Sequence, residues 1–189
     1  MTTLYITRHG QTEENLRRIL QGQMPGHLTR EGILQAEELR ERLRDVPFRR
    51  IFTSDLKRAV DTARIIAAPH TCPFTEEPLL RERDFGKHTG GPYISISRAL
   101  DPSAETMENL SRRAAEFLTR VAADKGLREC DVLVVSHGLF LRVLQAVFHN
   151  VPVREVGKME NAEVRRLVLH PGMVFTSDLR QEEAGGTAN

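Results

Sequence analysis

Four consecutive apolar residues, Val132-Leu133-Val134-Val135, constrain this chain more than any other stretch. Neighbouring side chains of a strand point to opposite faces. A strand apolar at every position must therefore be covered on both faces, as happens in the middle of a parallel sheet sandwiched by helices. The rest of the pattern supplies the other elements. Leu4 to Thr7 and Ile51 to Thr53 read as short buried strands, and Phe74 to Glu76 as a weak one between prolines. Thr29 to Leu43 carries Ile33, Ala36, Leu39 and Leu43 at helical spacing, with Thr29 as N-cap and Gly32 at N3. A second helix, capped by Ser54 or Asp55, carries Leu56, Ala59, Val60, Ala63, Ile66 and Ala67. Glu105 to Ala123 is amphipathic, with Leu110, Ala114, Phe117, Leu118 and Val121 facing inward, and another helix runs from Leu139 to Phe148. Val164 to Leu169 and Met173 to Thr176 are late strand candidates. This alternation predicts a three-layer α/β/α sandwich with a mostly parallel central sheet. It forms one domain over residues 1–180, followed by a polar tail at 181–189. Residues 81–104 lack a period and hold Gly86, Gly90, Gly91, Pro92 and Pro102. They read as a functional loop region with one short helix near Ile96 to Leu100.

Lys plus Arg is 27 and Asp plus Glu is 26, a net charge of +1 that argues against a dedicated nucleic-acid partner. Of the 27 cations, 23 are Arg. Arg forks onto phosphate and carboxylate, but codon bias produces the same excess, so position rather than number must identify a binding role. Cys72 and Cys130 have neither metal nor redox spacing and read as reduced thiols of a cytoplasmic protein. No apolar run approaches the roughly 20 residues of a membrane helix, and the N-terminus lacks signal-peptide character.

Two apolar strands each end in His-Gly: Ile6-Thr7-Arg8-His9-Gly10 and Val134-Val135-Ser136-His137-Gly138. In a mostly parallel sheet the carboxyl ends of strands share one edge, and ligands bind in the crevice outside it. A glycine after each histidine allows backbone to approach a ligand closely. Two isolated surface histidines would explain either tripeptide alone, but convergence of the pair at one edge points to a site. A metal would suit two imidazoles, yet Arg8 places a fixed cation beside His9, which repels a metal and attracts an anion. No His-Glu-x-x-His, Cys-x-x-Cys or aspartate cluster supplies further ligands. A third strand-to-helix junction, Phe52-Thr53-Ser54-Asp55-Leu56-Lys57-Arg58-Ala59, puts Arg58 in a first helical turn, where it opposes the macrodipole unless an anion compensates. Taken alone, Arg58 reads as a solvated charge, no different from Arg64.

These blocks resemble the histidine phosphatase superfamily, in its phosphoglycerate-mutase-like branch. Arg8-His9-Gly10-Gln11-Thr12 with Asn15 is similar to the family's opening motif. Gln21-Gly22, Leu28-Thr29 with Gly32, Gln35-Ala36, then Ser54-Asp55-Leu56 with Arg58-Ala59 and Thr62-Ala63 follow in family order. Leu80-Arg81-Glu82 with Phe85-Gly86 resembles the acid loop, and Ser136-His137-Gly138 the second histidine. The resemblance implies that His9 is a nucleophile that becomes phosphohistidine, and that Arg8, Arg58 and His137 surround the phosphoryl oxygens. Asn15 and Gly138 would contact the same oxygens. Glu82, which on its own reads as a surface charge, would protonate the leaving alkoxide and then activate water. No metal or other cofactor is expected, and the expected partner is a small phosphorylated substrate. Homodimers occur among relatives, although no exposed apolar stripe marks an interface here.

The chain also departs from the family. His88 and Thr89 stand where Trp and Glu are common, and Ala104-Glu105-Thr106 replaces the usual Gly-Glu-Ser. The segment from Gly91 to Ala104, within a lid at residues 88–104, is short for the family. A short lid admits water to the phosphohistidine, so a phosphomonoester hydrolase is expected in preference to a phosphoglycerate mutase, which must exclude water. Within the phosphatase class both a sugar-phosphate substrate and the α-ribazole phosphate of cobalamin synthesis fit these residues, whereas the presence of all the reactive residues weighs against an idle phosphate-binding module.

Overall fold

The computed structural model describes residues 1–93 and 102–178. Among these, five strands form one sheet: β1 (Thr2–Arg8), β2 (Phe48–Thr53), β3 (Phe74–Glu76), β4 (Cys130–Ser136) and β5 (Val164–Leu169). Their order is β3-β2-β4-β1-β5, with β5 alone antiparallel, against β1. β4 lies at the centre and is apolar throughout because it divides two cores. Val132 and Val134 face one cluster with Leu4, Ile6, α4 (Met107–Ala123) and α5 (Gly138–His149). Leu133 and Val135 face the other, with α2 (Arg30–Leu43) and α3 (Lys57–Ala67). The expected three-layer sandwich with a mostly parallel sheet is the observed one.

Local details differ from expectation. Helix α3 starts later than predicted, with Leu56 rather than Ser54 or Asp55 as its N-cap. The Ser54 hydroxyl accepts from the Leu56 N–H and also lies against His137, so it serves the strand edge rather than the helix. Met173 to Thr176 is not a strand. Met173 and Phe175 pack instead as single side chains against the α4/α5 core. The short helix expected near Ile96 to Leu100 and the tail at 181–189 lie outside the described residues. No helix among the described residues is long and apolar enough to cross a membrane.

A short α1 (Glu13–Leu16) follows β1 and is closed by a capping box between Thr12 and Asn15. The turn leading into it crosses the first turn of α2 at two glycines. A Cβ on Gly10 would lie 2.3 Å from the Gly32 carbonyl oxygen, and one on Gly32 would lie 2.1 Å from the Gln11 carbonyl oxygen. Gly10 therefore makes room for another segment of backbone, not for a ligand as the His-Gly pattern suggested. In an ordinary helix interior, Gly→Ala stabilises by about 1 kcal/mol. Here both contacts are with backbone that cannot swing aside, and the clash outweighs propensity. Gly32→Ala is expected to destabilise the protein by about 3 kcal/mol, visible as a lower urea midpoint at unchanged slope. A neutral or stabilising effect would show that the two segments can separate.

Candidate active site

The site forms where the ladder of the central strands runs out. Register pairs Arg8 with Ser136 and Thr53 with Val135, so His9, Ser54 and His137 each occupy the first position beyond a strand end. Their backbones still extend the sheet: His9 N–H donates to the Ser136 carbonyl and Ser54 N–H to that of Val135. The two histidine rings stand 5.2 Å apart between centroids.

His9 is almost fully buried, and its Nδ1 lies 2.7 Å from the Gly10 carbonyl oxygen. A carbonyl only accepts, so Nδ1 carries the hydrogen and Nε2 keeps its lone pair. Arg58 Nε donates to that nitrogen at 3.3 Å. The Arg58 side chain is only 1% exposed and also donates to the carbonyls of Gly22 (2.8 Å) and Met24. This position corrects the view of Arg58 as a solvated charge. Arg64, on the same helix, is largely exposed and loosely paired with Glu76 at 3.8 Å. Burial lowers the Arg58 pKa to about 10, which leaves it charged at neutral pH. Arg8 donates to the Met159 carbonyl, while its buried Nε has no partner. It lies against Gly138, where a Cβ would meet Arg8 Nε at 3.3 Å. The second glycine thus accommodates the guanidinium.

Burial, reinforced by Arg58 and Arg8, holds the His9 pKa well below the usual histidine value. The same causes depress His137, with burial again foremost and His9 contributing. Both rings are therefore neutral near pH 7. His137 Nε2 lies 2.8 Å from Ser54 Oγ, and its buried Nδ1 has no partner.

Glu82 arrives from a different segment. Its carboxylate accepts from the backbone N–H groups of Leu139 (3.1 Å) and Phe140 (3.0 Å) at the start of α5, and from Arg83 N–H. An anion is well placed at a helix N-terminus. The loop is clamped to α4 by Arg113, which pairs with Glu105 and donates to the carbonyls of Leu79 and Arg81. Glu105 also accepts from Asp84 N–H and, through its carbonyl, from Arg83 Nε. The Ala104-Glu105-Thr106 variant thus keeps the one side chain of that triplet that holds the acid loop.

A cavity of about 510 Å³ opens above these groups and is lined by Arg8, His9, Asn15, Arg58, Glu82 and Gly138. His137 is fully buried beside the His9 ring and is not among the lining residues. Asn15 Oδ1 accepts from Thr12 N–H and from Asn161 Nδ2, which turns the Asn15 amide nitrogen away from these partners. Sequence reasoning missed Asn161, whose Nδ2 also donates to the His9 carbonyl. It also missed Ser54 as a site residue, although Ser54 occupies the same position beyond its strand as the two histidines.

The sequence model described as the Histidine phosphatase superfamily (branch 1) matches residues 4–180. The chain belongs to the histidine phosphatase superfamily. Among its relatives, the probable phosphoglycerate mutase GpmB of Proteus mirabilis is 42% identical over 167 residues, 80% of this chain and 77% of that protein. Among solved members of the fold, Bacillus stearothermophilus YhfR superposes with a TM-score of 0.84 at 27% identity, covering 95% of this chain and 96% of that one. A mycobacterial glucosyl-3-phosphoglycerate phosphatase, determined in complex with VO3, superposes with a TM-score of 0.77 at 25% identity, covering 89% and 93%. Histidine phosphatase superfamily chains with mutase names and with phosphatase names thus both resemble this one.

Proposed function

We propose that this protein hydrolyses small phosphomonoesters through a phosphohistidine at His9, without a metal. The observation that carries this is the placement of His9: Nδ1 is held by the Gly10 carbonyl, and Nε2, in a cavity lining that also includes Arg8, accepts from Arg58 Nε at 3.3 Å, a bond that an entering phosphoryl group must displace. His9 Nε2 attacks phosphorus as the P–O bond to the organic group breaks. Arg8 and Arg58 neutralise charge spreading over the equatorial oxygens. With the Ser54 hydroxyl donating to His137 Nε2, His137 keeps its hydrogen on Nδ1 and offers it to a phosphoryl oxygen. The Asn15 amide and the Gly138 N–H complete the oxygen contacts. Glu82 protonates the departing alkoxide and then takes a proton from the water that attacks phospho-His9. Both Glu82 oxygens accept backbone hydrogen bonds. Donating a proton therefore requires that one of these bonds loosen when substrate enters.

A phosphoglycerate mutase is the second reading, favoured by the names of relatives such as the Proteus mirabilis protein. It shares the intermediate and differs in the acceptor. The deciding experiment is rapid quench of the protein with 32P-labelled substrates in EDTA. The panel covers an aryl phosphate, sugar phosphates, α-ribazole phosphate and 3-phosphoglycerate. An acid-labile, base-stable label on His9 that decays to inorganic phosphate is expected. Isomerisation of 3-phosphoglycerate faster than phosphate release would establish the mutase instead. No label at all would remove both and leave a phosphate-binding module.

A further inference from the structure

The cavity is larger and more cationic than a phosphoryl group requires. Beyond Arg8 and Arg58 its wall includes Arg142 and Lys158, and Glu82 is the one carboxylate among the described residues of the lining. Four cations against one carboxylate exceed by one charge what a phosphomonoester dianion neutralises. Glu160 and Glu14 act on Arg8 and Arg58 from outside the lining, at the phosphoryl end. Among the described residues, Arg142 and Lys158 have no carboxylate in an ion pair. Arg142 donates from Nε to the Val156 carbonyl (3.1 Å) and from Nη2 to the Val153 carbonyl (3.1 Å). Carbonyls orient a guanidinium without cancelling its charge. The same stretch of chain holds Arg8 through the Met159 carbonyl, so both arginines are fixed relative to each other by one segment.

Helix geometry sets the spacing. Gly138, against Arg8, and Arg142 are four residues apart on α5, one turn and about 6 Å of rise along the same face. Ile19, Leu20, Phe85, Leu139 and Met159 form the apolar wall of this cavity. We infer that Arg142 and Lys158 form a subsite for a second anionic group, carboxylate or phosphate, on the organic part of the substrate. The substrate class is then a phosphomonoester whose second anion lies about one helical turn from phosphorus, joined to it by a partly apolar linker. This assignment rests on the phosphoryl-site reading of His9, Arg8 and Arg58.

Titration calorimetry with non-hydrolysable phosphonates tests it without requiring turnover. Butylphosphonate, 4-phosphonobutanoate and butane-1,4-bisphosphonate share a linker and differ at the far end. At least tenfold tighter binding of one or both doubly anionic ligands is expected, and the preferred one identifies the second group. Lys158→Gln and Arg142→Gln should each cut that preference several-fold, and the double variant should bring it close to 1. Lys158→Gln is the more secure variant, because Arg142 also ties down the carbonyls of Val153 and Val156. Equal affinity for the three ligands, or a preference undiminished by Lys158→Gln in a folded protein, would overturn the subsite. Discrimination between phosphonates with no turnover of phenyl phosphate or 4-carboxyphenyl phosphate would overturn the hydrolase and keep the subsite. Turnover of both at equal kcat/KM with no phosphonate preference would do the reverse.

Discussion

Replacing His9 with alanine is expected to reduce turnover of an aryl phosphate by about 10⁴-fold or more in EDTA, and to cost about 1–3 kcal/mol of stability because the Gly10 carbonyl and Arg58 Nε lose a buried partner. In the proposed mechanism the ring forms the only bond to phosphorus that the protein makes, and the other histidine of the site cannot replace it. With Ser54 donating to its Nε2 and a hydrogen on Nδ1, His137 has no free lone pair. Retained activity in a folded His9→Ala protein would end the phosphohistidine mechanism. The depressed His9 pKa gives the prediction a second arm. A neutral nucleophile persists well below pH 6.5, so kcat/KM should stay high into mildly acidic buffer rather than fall with an ordinary histidine titration. Stability moves the other way. Between the unfolded histidine pKa near 6.5 and the lower folded value, the unfolded chain binds protons that the native one does not. Stability is therefore full above about pH 6.5 and declines below it. Each of His9 and His137 contributes up to about a tenfold drop in the folding constant per pH unit. His9→Gln should flatten that slope in urea melts across pH 4.5 to 7.

The second large effect is expected at Arg58. Arg58→Met keeps length and apolar bulk but removes three hydrogen bonds, those to His9 Nε2 and to the carbonyls of Gly22 and Met24. Two orphaned carbonyls cost about 1–3 kcal/mol each. Against this, the variant no longer buries a guanidinium whose pKa burial has already lowered to about 10, although it gives up the attraction of Glu82 and Glu14 along with the smaller repulsion from Arg8. These opposing contributions should leave the net loss of stability at about 2 kcal/mol or less. Catalysis has no such offset, because transition-state charge loses a fixed donor, and kcat should fall about 10³-fold. Arg58 also helps to hold the His9 pKa down, so in the variant that pKa moves back towards the ordinary value. The acid limb of the pH–rate profile should shift to higher pH with it. A variant with near-normal kcat would show that Arg58 serves only to tie the 22–24 loop to α3.

Much of this architecture was legible from apolar patterning. β4 was unmistakable because both its faces enter cores, and α2, α4 and α5 followed from their buried stripes. The errors share a cause. Ser54 reads as a helix cap because caps and strand-end polar residues look alike in one dimension, and only the register beside His137 separates them. Met173 and Phe175 read as a strand because two apolar residues in alternation fit a strand and two separate knobs equally well. Within the site, Arg8, His9 and His137 were visible from the topology of strand ends. Glu82 was visible only through family resemblance, since its anchor is a pair of N–H groups more than fifty residues away. Arg142, Lys158 and Asn161 carried no local signal, because their placement depends on the α5 helix and the returning chain meeting across the cavity.

The backbone of the reactive residues continues the sheet by one more rung, through the His9 and Ser54 amides. Those amide hydrogens are shielded from exchange unless the central strands part, which couples their protection to global unfolding rather than to loop fluctuation. The backbone that carries His9 is therefore expected to keep its place for as long as the central strands stay paired. In the proposed mechanism the rearrangements are therefore confined to side-chain hydrogen bonds: Arg58 Nε must leave His9 Nε2 before attack, and one N–H must leave Glu82 before proton transfer.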